Sequence, residues 1–145
     1  MKMINAYIST PVAVATNNAI PFEYSRAKTR SGCRCNGGWL HHDDGSALFE
    51  ISAPGIYKVD FNAQLTAAAS GNVTLAMVGN GGEVIPGTQM GESILATGIT
   101  NVGMSALIVV PCGGSLTLAV RNTTDATVNP TITVNSASIV ITREA

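Results

Sequence analysis

What this 145-residue chain has least of is charge. Eight Lys and Arg against nine Asp and Glu make up 12% of it, with a net charge of −1. That is about half the share of a typical soluble domain, roughly 25%. There is no basic excess and no run of like charge, so nothing in the chain attracts nucleic acid. Long apolar runs are missing as well. The longest, residues 106–110, is far below the roughly 20 residues that span a bilayer, and no membrane partner is expected. The opening Met1-Lys2-Met3-Ile4-Asn5 lacks the apolar core of about 7–15 residues that marks a secretory signal. The expectation is therefore a protein that stays inside its cell or leaves it by another route.

Cysteine is scarce: Cys33, Cys35 and Cys112 are the three. An odd number, two of them only two residues apart, argues against a disulfide framework. Buried or incidental thiols are the plain reading; a disulfide from Cys112 and a metal or redox role are the alternatives. No second pair completes a four-thiolate zinc site, and Cys-x-Cys is not the Cys-x-x-Cys of redox enzymes.

Helical periodicity is absent too, with 15 Gly and 6 Pro punctuating the chain. What is present instead is alternation. Tyr57, Val59, Phe61, Ala63 and Leu65 interleave with Lys58, Asp60, Asn62, Gln64 and Thr66, which predicts a long strand with one buried face. Leu48-Phe49-Glu50-Ile51 reads as a short strand before it, separated by the Ala53-Pro54-Gly55 turn. Val73, Leu75 and Met77 predict another strand, closed by a turn at Gly79-Asn80-Gly81-Gly82, and Val84-Ile85 a short one after it. Leu116, Leu118 and Val120 predict the next. A last strand starts at Ile132 and Val134, slips phase near Asn135-Ser136, and resumes at Ala137, Ile139 and Ile141, as at a β-bulge. The fold class expected is all-β, a single domain over residues 1–145 built as a two-sheet antiparallel jelly-roll sandwich, with a barrel as the alternative. Tyr57, Val59, Phe61, Leu75, Leu116 and Leu118 are the expected core. Residues 1–16 read as an attachment segment or as a first strand split by Pro11.

Residues 106–110, Ala-Leu-Ile-Val-Val, break the alternation and carry no polar side chain on either face. A strand of that kind is covered on both sides, and in an antiparallel sandwich the second cover comes from another subunit or from a local segment. Ala106, Ile108 and Val110 are taken as the interface residues, and which of Ile108 and Val110 faces the partner is not fixed by the sequence.

The run from Phe49 through Ala53-Pro54-Gly55-Ile56-Tyr57-Lys58-Val59-Asp60-Phe61, the run Val109-Val110-Pro111-Cys112-Gly113-Gly114-Ser115-Leu116-Thr117-Leu118, and the C-terminal Ser138-Ile139-Val140-Ile141 resemble one family. It is the trimeric jelly roll shared by tumour necrosis factor (TNF) and the globular heads of complement-like proteins. The match covers about residue 47 to the end and is loose before that. The neutral texture around Val84-Ile85-Pro86-Gly87-Thr88 is similar to short phage and prophage proteins of this fold. The resemblance implies a homotrimer with a non-enzymatic structural or adhesion role: a head-fibre, decoration or receptor-binding module. It would be made in the bacterial cytoplasm and placed on the virion surface, with other virion proteins or host-surface glycans as further partners. A carbohydrate- or protein-binding module of a bacterial surface or spore layer is the alternative.

Among chemical candidates, His41-His42-Asp43-Asp44 is the one dense group of ligand types. Residues two apart share a face of an extended chain, so His41 would pair with Asp43 and His42 with Asp44, too few ligands for zinc from one subunit. In the fold it resembles, a three-fold axis can complete a calcium site from one residue per subunit, which leaves His41 and Asp43 as metal candidates beside the plain reading of a solvated turn. No Gly-x-Ser-x-Gly elbow occurs, and two adjacent histidines offer no triad, so no enzyme and no cofactor are expected. Trp39, after Gly37-Gly38, is either an exposed sugar-stacking platform or a half-buried anchor at a sheet edge.

Overall fold

The alternation after Gly55 becomes a strand of 13 residues whose odd positions are all buried, from Tyr57 to Ala67. In the computed structural model, which describes residues 3–28 and 40–145, it is one of eleven strands. They are β1 (Met3–Ile8), β2 (Val12–Ala15), β3 (Tyr24–Lys28), β4 (Leu40–His41), β5 (Phe49–Ile51), β6 (Gly55–Ala67), β7 (Gly71–Val78), β8 (Met90–Ile94), β9 (Ile99–Val110), β10 (Leu116–Asn122) and β11 (Thr131–Arg143). No α-helix occurs among the described residues. One sheet runs β3-β1-β11-β6-β9, with β2 also pairing β11; the other runs β4-β5-β10-β7-β8. Every pairing is antiparallel, and the two layers form a jelly-roll sandwich.

The inner faces meet in one core. Tyr57, Val59, Phe61 and Leu65 of the first sheet oppose Phe49, Ile51, Leu75, Met77, Leu118 and Val120 of the second, all fully buried. Leu116, at the strand end, is only partly buried against this core. Phe22, on the segment between β2 and β3, plugs one end. Its ring stands edge-on to Phe49 at 5.4 Å and to Phe61 at 6.3 Å, the geometry that aromatic quadrupoles favour. Segment 18–22 is held there by the Ile20 N–H on the Val120 carbonyl and the Phe22 N–H on the Ser46 carbonyl. It carries no periodicity and was not foreseen as core.

The phase slip in the last strand is a register shift in the β11–β6 ladder between Val134 and Ser136, the bulge expected there. Asn135, the extra residue, donates its amide to Thr66 Oγ1 at 2.6 Å. Buried polar side chains are likewise occupied. The Asn129 amide clamps Ala69, accepting its N–H at 3.0 Å and donating to its carbonyl at 2.9 Å. Thr88 accepts from the Met77 N–H and donates to the Ile85 carbonyl. Such pairing removes the cost of burying a polar group, about 1–3 kcal/mol for each one left unpaired.

Two expectations are corrected. Val84-Ile85 forms no strand: Val84 makes a single bridge to Val78, and the partner that pairs along β7 is β8, beyond Pro86-Gly87. Ile108 and Val110, with Ala106 the expected interface residues, turn inward, because Gly55–Thr66 pairs with Ile99–Val110 in a register that puts Ile108 beside buried Tyr57. Residues 3–8 and 12–15 are strands paired with β11, so the split first strand is the reading that matches the architecture. Gly55 is required by close approach: a Cβ there would lie 2.5 Å from the Ala145 carbonyl, where the chain's end packs onto β6.

Candidate functional site

The strand that stands out is β9. Among the described residues it lies at the edge of its sheet, pairing with β6 on one side only, and its twelve residues, ITNVGMSALIVV, contain no charge. A long edge with free N–H and C=O groups and no Lys, Pro or inward charge is what natural sheets avoid unless something covers it. Its outward phase is Ile99, Asn101, Gly103, Ser105, Leu107 and Val109. Leu107 and Val109 are 68% and 69% exposed, and Ile99 is exposed as well. Ile56, directly opposite Val109 on β6, extends the apolar end. The expectation of a strand needing a second cover thus falls on Leu107 and Val109, while Ala106, half-buried, packs toward the core with Ile108 and Val110. The apolar run 106–110 carries no phase of its own, and its pairing with β6 sets it.

Beyond that end, the outer face of the six-stranded sheet is small and neutral. Gln64 is paired between Ser136 and Asn101, and Asn62 between Ser138 and Gly103. Gly103 has no side chain, which leaves room for the Asn62 amide, whose Oδ1 would lie 2.8 Å from a Cβ at that position. Tyr7, Asn62, Gln64, Asn101, Ser136 and Ser138 line a shallow recess of about 720 Å³. Ser105 donates to Asp60 at 2.7 Å, and Lys58 sits 3.7 Å from the same carboxylate, so the charges on β6 compensate each other. An exposed pair of that kind contributes about 1 kcal/mol at most.

The His41–Asp44 group divides by depth. His41 Nε2 and Asp43 Oδ1 are 2.9 Å apart at the surface, and no third His, Cys, Asp or Glu joins them among the described residues. His42 is buried instead. Its Nε2–H donates to the Ser46 carbonyl at 2.8 Å, so Nδ1 accepts from Ser25 Oγ at 2.9 Å, and the ring stacks on Phe49 at 4.4 Å. Asp44 accepts the Ser25 N–H rather than pairing with His42. Cys112 is an exposed free thiol. Cys33, Cys35 and Trp39 lie outside the described residues.

Tyr57 is a perturbed side chain of β6. Burial pushes its phenol above the ordinary value of 10.0, Arg143 opposes this weakly, and its hydroxyl donates to the Ala53 carbonyl at 2.8 Å. It anchors the turn before β6 and faces the core, away from solvent.

No family model and no curated protein sequence matches the chain. Solved structures do. The globular domain of zebrafish complement 1qA protein superposes on all of this chain and 98% of its own, with a TM-score of 0.62 at 9% identity. The Eiger TNF of S. frugiperda superposes on all of this chain and 94% of its own, with a TM-score of 0.68 at 14% identity. At such identities the likeness is one of fold, and the fold is the TNF-like jelly roll.

Proposed function

We propose that the chain is a non-enzymatic structural or adhesion module that works as a closed homotrimer, with the surface of a phage particle as its setting. The observation that carries this reading is the uncharged edge strand β9 with Leu107 and Val109 in water. Left open, such an edge adds further strands without limit; covered by a second copy around a closed axis, it is used up. A face of Ser, Asn, Gln and Gly beside it suits close approach, because charged side chains are depleted from interface cores. The number three comes from the trimeric jelly rolls that the chain resembles. The virion setting rests on the neutral, Gly- and Thr-rich texture shared with short phage proteins of this fold.

Light scattering on the purified chain tests the assembly. A particle of three times 14.9 kDa supports the reading, and a stable particle of 14.9 kDa at micromolar concentration overturns it. The setting is tested by the genes beside this one: capsid and portal genes support it, and spore or surface-layer genes overturn it.

A further inference from the structure

The five-stranded sheet presents its own outer face on the opposite side of the sandwich. Arg121 lies there on β10 between Val120 and Asn122, both buried, so its side chain rises outward. It pairs with Ala76 of β7 and bridges to Ala19, and these two small side chains leave its stem room to lie along the sheet. The head group reaches the turn after β7. Gly82 adopts φ +80, a conformation that favours glycine, and a Cβ there would fall onto the guanidinium, so the head group lies directly over this turn. The recess that receives it, about 320 Å³, is walled by Leu48, Val78, Thr117, Ala119 and the turn 79–82.

The wall is built in advance. Asn80 fastens the turn to β10, accepting the Thr117 N–H at 2.7 Å and donating to the Ser115 carbonyl at 2.9 Å. The guanidinium, by contrast, has no partner among the described residues. Among the described residues no carboxylate pairs with it, Glu50 and Glu83 included, and no hydrogen bond leaves its nitrogens. Since no buried side-chain nitrogen is left unsatisfied, those donors are accessible, and Arg121 lines the recess.

We propose that this recess is a carboxylate-binding site. A guanidinium matches a planar carboxylate with two parallel hydrogen bonds. One cation balances a monoanion and would leave a phosphate dianion half compensated. Leu48, Val78 and Ala119 supply apolar walls for a compact body behind the carboxylate, and Thr117 lines the same recess. The ligand class is a small carboxylate, carried either by an acidic sugar or by a glutamate side chain of a protein partner. The site lies on the sheet opposite the one that bears Leu107 and Val109 and is complete within one copy, so it stands whether or not the chain assembles.

Amide spectra of the intact, isotopically labelled chain test it during titration with glucuronate, with blocked glutamate, and with glucose as the neutral twin. Saturable shifts at Gly81, Gly82 and Thr117 are expected with a carboxylate and not with glucose, and the tighter of the two carboxylates identifies the source. Arg121→Gln abolishes the shifts, and Arg121→Lys, a point charge without the fork, weakens binding severalfold. Should Arg121→Gln fail to fold, Leu48→Glu, at a wall position 47% exposed, sets a rival carboxylate beside the guanidinium and abolishes them instead. Failure of both carboxylates to saturate, equal shifts from glucose, or shifts that survive in Arg121→Gln or Leu48→Glu overturn the proposal.

Discussion

Leu107 and Ile108 are neighbours on one strand with opposite fates, and truncating each to alanine separates the fold from the assembly. Ile108 is 7% exposed and packs inside the sandwich, so Ile108→Ala removes buried methylenes and leaves a cavity. Losses of about 2–5 kcal/mol are usual for such a change. At urea slopes of about 1–3 kcal/mol per molar, the unfolding midpoint falls by about 1 M or more, at every protein concentration. Leu107 is 68% exposed in the single chain, so Leu107→Ala by itself changes stability by no more than about 0.5 kcal/mol. In an assembly that covers β9, the exposed two thirds of its side chain becomes buried; at about 1.5–3 kcal/mol for a whole leucine, that is about 1–2 kcal/mol per copy. The Leu107→Ala deficit must therefore grow with protein concentration and fade on dilution. Urea titrations followed by fluorescence at two concentrations a hundredfold apart measure both. If Leu107→Ala is the more damaging change in the dilute limit, the assigned phase of β9 is wrong. If its small effect does not depend on concentration, the cover over β9 is wrong.

Two further predictions rest on β6. Phe61→Ala, at a fully buried position edge-on to Phe22, lowers stability by about 3–5 kcal/mol in thermal or urea unfolding, whereas Lys58→Ala, exposed and only 3.7 Å from Asp60, changes it by less than about 1 kcal/mol; the reverse order would invert the strand. Tyr57 holds its proton more tightly folded than unfolded, so its contribution is fully present below pH 10.0 and is lost as pH rises through the raised folded value. Tyr57→Phe therefore flattens the alkaline fall in stability, at the expense of the bond to Ala53, and an unchanged alkaline slope in that variant would refute the assignment.

Much of the fold was legible because a half-buried strand writes its environment into every second residue. From Tyr57 to Leu65 the alternation gave the strand, its inner face and its direction into the turn at Pro54-Gly55. The break at Asn135-Ser136 gave the bulge, since one extra residue must flip the phase. Segment 18–22 was invisible for the opposite reason: Phe22 is buried by tertiary contacts with Phe49 and Phe61, and no local period records that. His42 was misjudged likewise, its neighbours in sequence being exposed while its own ring is stacked inside.

The candidate surfaces were legible only in part. That residues 106–110 needed more cover than one sheet supplies was written in their composition, but an all-apolar run has no phase, and only the pairing of Tyr57 with Ile108 decided that Leu107 and Val109 face outward. Arg121 read as one polar position in an alternating strand. Its isolation from every carboxylate, and its placement over Gly82 from a different strand, exist only once β7 and β10 lie side by side. The sequence by itself determined the all-β class and the faces of its alternating strands, because those follow from periodicity along the chain, and the jelly-roll likeness, because its motif runs resemble that family. Which edge stays open and which charge stays unpaired were decided by the tertiary structure, because both depend on what lies across a strand rather than along it.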